Sequence, residues 1–181
     1  KVECEQKTIQ DEILIDDFSD LKTNVVISNK ENGLLSFFKP SENFLKMSQF
    51  QRIRNGKAEF RNVVLLDEYD NPVVNADFGQ KVKLRMAFEV FDNVPMLGYG
   101  YHIRDKNGVD VIYSDSNISG TGELLDLKPG EKYIIDWSFE VRLGYGQYSI
   151  LSGISMPLNI EIGKVEFCDY VPISFQFIVN P

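Results

Sequence analysis

The run LGYGQY constrains this chain more than any other stretch. It places Leu143, Gly146 and Tyr148 at the L-x-x-G-x-Y spacing of a tyrosine corner. In that motif a Tyr near the start of one strand turns its hydroxyl back onto backbone a few residues upstream, a device of Greek-key β-sandwiches. The expected role of Tyr148 is therefore structural: it marks the fold and makes no ligand contact. The antibody-type pattern wants a Cys two residues after the corner, and Ile150 stands there instead.

The flanking sequence agrees with a sandwich. From Lys57 onward, short β segments alternate with turn signals. AEFRNVVLL is apolar and branched, and DEYDNP then supplies turn chemistry. KVKLRMAFEV alternates with period 2: Val82, Leu84, Met86, Phe88 and Val90 share one face, and Lys81, Lys83, Arg85 and Glu89 the other. KYIIDWSFEV repeats the pattern, with Tyr133, Ile135, Trp137, Phe139 and Val141 on one side. Adding LGYGYHIRD, VDVIYSDSN, QYSILSGIS and YVPISFQFIV gives seven strands at sandwich-like intervals. The expected fold is an all-β antiparallel Greek-key sandwich over residues 56–181. Residues 1–55 read as an extension or linker that adds an edge strand or contacts a second copy. Within it, DEILIDDFSD and NVVISN suit strands, and Ser41 suits the N-cap of a helix in SENFLKMSQFQRIRN.

Several function classes are excluded by what the residues lack. A formal charge of −8 repels a phosphate backbone, so nucleic acid is not the expected partner. With His102 as its one histidine, the chain cannot build HExxH or a multi-histidine metal site. GYGYHI and GYGQYS begin G-x-G but lack the third glycine and the helix of a phosphate cradle, and no G-x-S-x-G elbow occurs. Cys4 and Cys168 lie far apart, too isolated for a redox or zinc motif, and buried free thiols are the expected state. No catalytic residue, metal or cofactor is expected.

A binding face is more legible. In MLGYGYHIRD the parity of Tyr99, Tyr101 and Ile103 with the core turns Gly98, Gly100, His102 and Arg104 outward. Glycines on an exposed strand face leave a shallow trough where another molecule can approach backbone, and His102 and Arg104 border it with donors for hydroxyls. Tyr113, Asp115 and Asn117 alternate in VIYSDSN and combine a stacking ring with planar polar groups, as sugar recognition requires. A strand end running into a turn explains the same Asp and Asn without a ligand. Ser149, Leu151 and Gly153, outward on the strand after the corner, adjoin this face. Trp137, by parity, belongs to the core.

Read in order, GKAEFRNVVLLDEYDNPVVNADFGQKVKLRMAFEV, GYHIRDKNGVDVIYSDSN, LLDLKPGEKYIIDWSFEVRLGYGQYSILSGIS and YVPISFQFIV resemble the C-terminal domain of Wzt, the ATP-binding subunit of O-antigen polysaccharide ABC transporters. The PGE turn and the tyrosine corner at the right distance after it carry most of the likeness; Tyr113–Ser116 departs from it. The resemblance implies an immunoglobulin-like sandwich that binds O-antigen polysaccharide, through a modified non-reducing end, at the cytoplasmic face of the bacterial inner membrane. It further implies a homodimer and coupling to the transporter's transmembrane subunit through an ATPase domain absent from these residues. The other expectation is a non-catalytic sandwich used for dimerisation or protein docking.

Overall fold

The computed structural model describes residues 24–28, 34–159 and 161–181. Eleven strands occur among them: β1 (Asn24–Ser28), β2 (Ile53–Arg54), β3 (Ala58–Leu66), β4 (Asn75–Ala76), β5 (Lys81–Val90), β6 (Val94–Arg104), β7 (Asp110–Asp115), β8 (Leu124–Leu127), β9 (Lys132–Glu140), β10 (Gly146–Asn159) and β11 (Lys164–Val179). A 3-10 turn (Leu35–Phe38) and a short helix α1 (Glu42–Met47) precede β2. One sheet has the order β1-β9-β5-β3 and the other β2-β11-β10-β6-β7, with β8 extending β6 and β4 pairing parallel to β11. The chain crosses between the sheets from β5 to β6 and again from β9 to β10, as in an immunoglobulin-like Greek key.

Alternation along the strands builds the core. Leu84, Met86 and Phe88 of β5, Ile135 and Trp137 of β9, and Tyr99, Tyr101 and Ile103 of β6 are all buried between the sheets. Trp137 packs edge-on against Tyr101, with ring centroids 5.1 Å apart, and tilts against Tyr99 at 5.7 Å. Ile150, at the place of an antibody domain's second cysteine, is itself fully buried in the same core. Tyr148 donates its hydroxyl to Gly144 O at 2.8 Å and stacks on Phe177, which completes the corner.

Two features depart from simple alternation. Arg85 belongs to the polar face of β5, yet it is 4% exposed. Its guanidinium donates twice to Asp136, at 2.7 Å each, and the Phe37 ring of the 3-10 turn lies 4.5 Å above it. That face is covered by the preceding segment, not by water, which period-2 patterning cannot show. The hairpin β10–β11 is also longer than QYSILSGIS and YVPISFQFIV indicate, reaching Asn159 and starting from Lys164. Register shifts in this pair, between Ile150 and Ser152 and between Ile154 and Ser155, break the parity that marks a strand in sequence.

Residues 34–54 pack into the sandwich. Ser41 caps α1, its Oγ accepting from Phe44 N, and Phe44 is buried against the sandwich. Arg52 donates to both carboxylate oxygens of the fully buried Asp169, at 2.8 and 2.6 Å, and to Phe60 O. Phe60 N donates to the same carboxylate at 2.7 Å. Asn24–Ser28, the first five residues of NVVISN, form β1 on the edge of β9, whereas DEILIDDFSD and Cys4 lie outside the described residues. Cys168 is a free buried thiol whose pKa burial pushes up to about 11. No helix among the described residues is long and apolar enough to cross a membrane.

Candidate functional site

On the outer face of the larger sheet, β11, β10 and β6 hold an open trough of about 310 Å³. Its floor is a patch of small residues. Gly100 of β6 faces Gly153 of β10 in register, and Gly98 faces Ser155. The β11 wall is formed by Lys164, Val165, Phe167 and Tyr170, with the two rings tilted together at 4.9 Å. The opposite wall is polar and comes from the end of β7 and the connection to β8: Asp115, Ser116, Asn117 and Glu123. Tyr99 fixes that connection from below. Its hydroxyl bonds Thr121 Oγ1 at 2.7 Å and donates to Gly122 O, while Ser116 N donates to Tyr99 O.

At one end stands His102, beside a small ion-pair network. Asp110 accepts from Arg104 Nε at 2.6 Å and pairs with His102 Nδ1 at 2.9 Å. The Arg104 bond, first of all, holds the Asp110 carboxyl below its ordinary range, so it is ionised at neutral pH and can only accept. Nδ1 is therefore the donor to Asp110, which leaves Nε2 as the ring's other hydrogen-bonding atom. Tyr113, exposed on edge strand β7, stacks on the imidazole with centroids 5.5 Å apart. Beyond it, Ser149 sits opposite Arg104 in register.

The structure thus brings Gly100, His102, Asp115 and Asn117 to the trough itself. Arg104 and Tyr113 support His102 from outside it, and Ser149 lies past the end of the lining. Two details change the roles expected of individual residues. Gly100 is small because β7 crosses it closely: a Cβ there would lie 2.8 Å from Ser114 O and 2.9 Å from Asp115 Cβ. Asp115 spends Oδ1 on the turn, accepting from Asn117 N and Ile118 N. The turn explanation holds for that oxygen. Phe167, Pro157 and Lys164 were not legible as lining residues, because they lie beyond QYSILSGIS and YVPISFQFIV, and Tyr170, first residue of the latter, carries no signal in sequence that turns it toward the trough.

What the arrangement can do is hold a flat, hydroxyl-bearing molecule between an aromatic edge and planar polar groups.

Comparison with known proteins agrees with this architecture. A solved structure described as the C-terminal domain of Wzt superposes with a TM-score of 0.64 at 18% identity, over 72% of this chain and 77% of that one. A Niemann-Pick type C2 protein from the Japanese carpenter ant (TM-score 0.43, 11% identity, 72% of this chain and all of that one) is a looser likeness. So is a CARDB domain from Pyrococcus furiosus solved with di-metal ions (0.39, 13%, 71% and 93%). Neither of these two bears on function. No curated protein matches the sequence. The model of the Wzt C-terminal domain family matches residues 50–181, every strand of the sandwich but β1, and the chain belongs to that family.

Proposed function

We propose that this domain binds O-antigen polysaccharide in the trough of β6, β10 and β11 and couples that recognition to export by an ABC transporter. The observation that carries the reading is the division of the trough: a floor of small residues, an aromatic wall and a wall of planar polar groups. Pyranose rings present that same division, with C–H patches beside hydroxyl edges. Gly100, His102, Asp115 and Asn117 line the site, Arg104 and Tyr113 set the His102 ring, and Ser149 borders its end. In this reading the domain acts as a homodimer at the cytoplasmic face of the inner membrane. It reaches the transmembrane subunit through an ATPase domain that these residues do not include. A single sugar on so shallow a surface binds weakly, and a repeating polymer on two domains gains by avidity.

Calorimetric titration against purified O-polysaccharides tests this. Selective binding to one polymer is expected, lost when His102→Ala is combined with Tyr113→Ala in a protein of unchanged melting temperature. Failure across a panel that includes the host's own capped polymer would leave dimerisation or protein docking as the better reading.

A further inference from the structure

Asp110 does not line the trough, yet it holds the chain's one histidine, which does. It opens β7 after the Asp105–Val109 turn, and the register shift between Ile103 and Arg104 sets Asp110, not Val111, opposite Arg104. One carboxylate thereby reaches two side chains of the same β6 face and gives each its own oxygen. Oδ1 accepts from Arg104 Nε at 2.6 Å, and Oδ2 meets His102 Nδ1 at 2.9 Å.

That division fixes a proton. Arg104 can only donate, so it occupies Oδ1. Oδ2 belongs to the same ionised group and has nothing to give, so the hydrogen between it and the ring sits on Nδ1. In a neutral imidazole the other nitrogen is then a bare acceptor. No described residue bonds Nε2. With Tyr113 stacked on the ring and Nδ1 turned to Asp110, Nε2 is the atom that His102 offers a molecule in the trough.

Resting on the glycan reading above, we propose that Asp110 is a positioning residue for recognition. By holding His102 with its hydrogen on Nδ1, it makes this end of the trough an acceptor for a free sugar hydroxyl that donates its hydrogen, and sets it against an ether or ester oxygen in that place.

Asp110→Asn separates this role from simple support. The amide has the carboxylate's shape but a single oxygen. Turned with its NH2 to Arg104 it would set two donors face to face, so the oxygen goes to Arg104 and the NH2 to Nδ1. Nδ1 then has to accept, and the ring's hydrogen moves to Nε2. Both bonds survive and the tautomer is inverted. Asp110→Ala removes both bonds and leaves either tautomer open.

Because the chain has one histidine, long-range proton–nitrogen NMR spectra of the imidazole read its tautomer without ambiguity. In mildly alkaline buffer the unmodified chain is expected to show the Nδ1–H form and Asp110→Asn the Nε2–H form. Calorimetry with the purified O-polysaccharides titrated above supplies the second readout. The polymer bound by the unmodified chain is expected to bind Asp110→Asn about tenfold more weakly, since the hydroxyl hydrogen loses its acceptor. Asp110→Ala is expected to fall between the two, whereas a mere prop would make Ala the worse variant. An Nε2–H form in the unmodified chain, no inversion in Asp110→Asn, unchanged affinity of that folded variant, or a larger loss in Asp110→Ala would each overturn the inference while leaving glycan recognition standing. If Asp110→Asn does not fold, the unmodified chain's tautomer and the Ala variant decide, unchanged affinity in the latter being the contrary result. Binding of no polymer by the unmodified chain would overturn both.

Discussion

At the scale of single residues, the tyrosine corner shows how little sequence a local rule needs. Leu143, Gly146 and Tyr148 predict a hydroxyl turned back onto backbone, and Tyr148 donates to the carbonyl of Gly144, four residues upstream. Tyr148→Phe removes that donor from a largely buried site. It should lower stability by about 1–3 kcal/mol in urea unfolding, because the carbonyl loses its partner. Polysaccharide titration well below the melting temperature should not change, since Tyr148 faces the core beside Phe177 and not the trough. Normal stability with lost binding would show the opposite assignment. Asp115 teaches the complementary lesson. One carboxylate serves both a turn and a trough wall, so residue type alone could not choose between the two explanations.

At the scale of elements, parity along β5, β6 and β9 was sufficient to sort core from surface, because successive side chains must alternate. It failed where elements lie against each other. Arg85 has surface parity but is buried under the 3-10 turn. Arg52 gives no periodic signal, yet it neutralises Asp169, 117 residues away in sequence. Arg52→Ala leaves that carboxylate buried with only the Phe60 amide. Equilibrium unfolding should show a loss of about 3–5 kcal/mol, the cost of stranding one partner of a buried pair. A loss below about 1 kcal/mol would mean that the carboxylate finds water or a proton. Because Phe44, Arg52 and β1 all join the sandwich, removing residues 1–55 would strip core and ion-pair partners together. Oligomer tests are better made by removing 1–23 alone.

For the molecule as a whole, the balance of charge sets its response to pH. Asp67 and Asp105 are held low chiefly by backbone amides, at Asn71 and Val109, and Glu131 by that of Lys128; Asp70 is held low chiefly by Lys83 and Asp110 by Arg104. For each, the folded pKa lies below the unfolded one, so the unfolded chain takes up protons first and the contribution is lost as pH falls. Urea midpoints should be level between pH 7 and about 5 and fall below about 4, where unfolded carboxylates titrate. Cys168 acts with the opposite sign: a thiol raised to about 11 favours the folded state less as pH climbs past about 9. A midpoint that rose on acidification would contradict this balance. What the sequence determined by itself is the part governed by local periodicity: the sandwich, seven of its strands, the corner, the core Trp137 and the outward turn of Gly98, Gly100, His102 and Arg104. Only the tertiary structure decided which outward residues share a trough. That depends on the strand order β11-β10-β6-β7 and on bulged register in the long hairpin, which bring Phe167 and Tyr170 across from Asn117. Such proximity is set by pairing between strands distant in the chain, and no spacing along one strand encodes it.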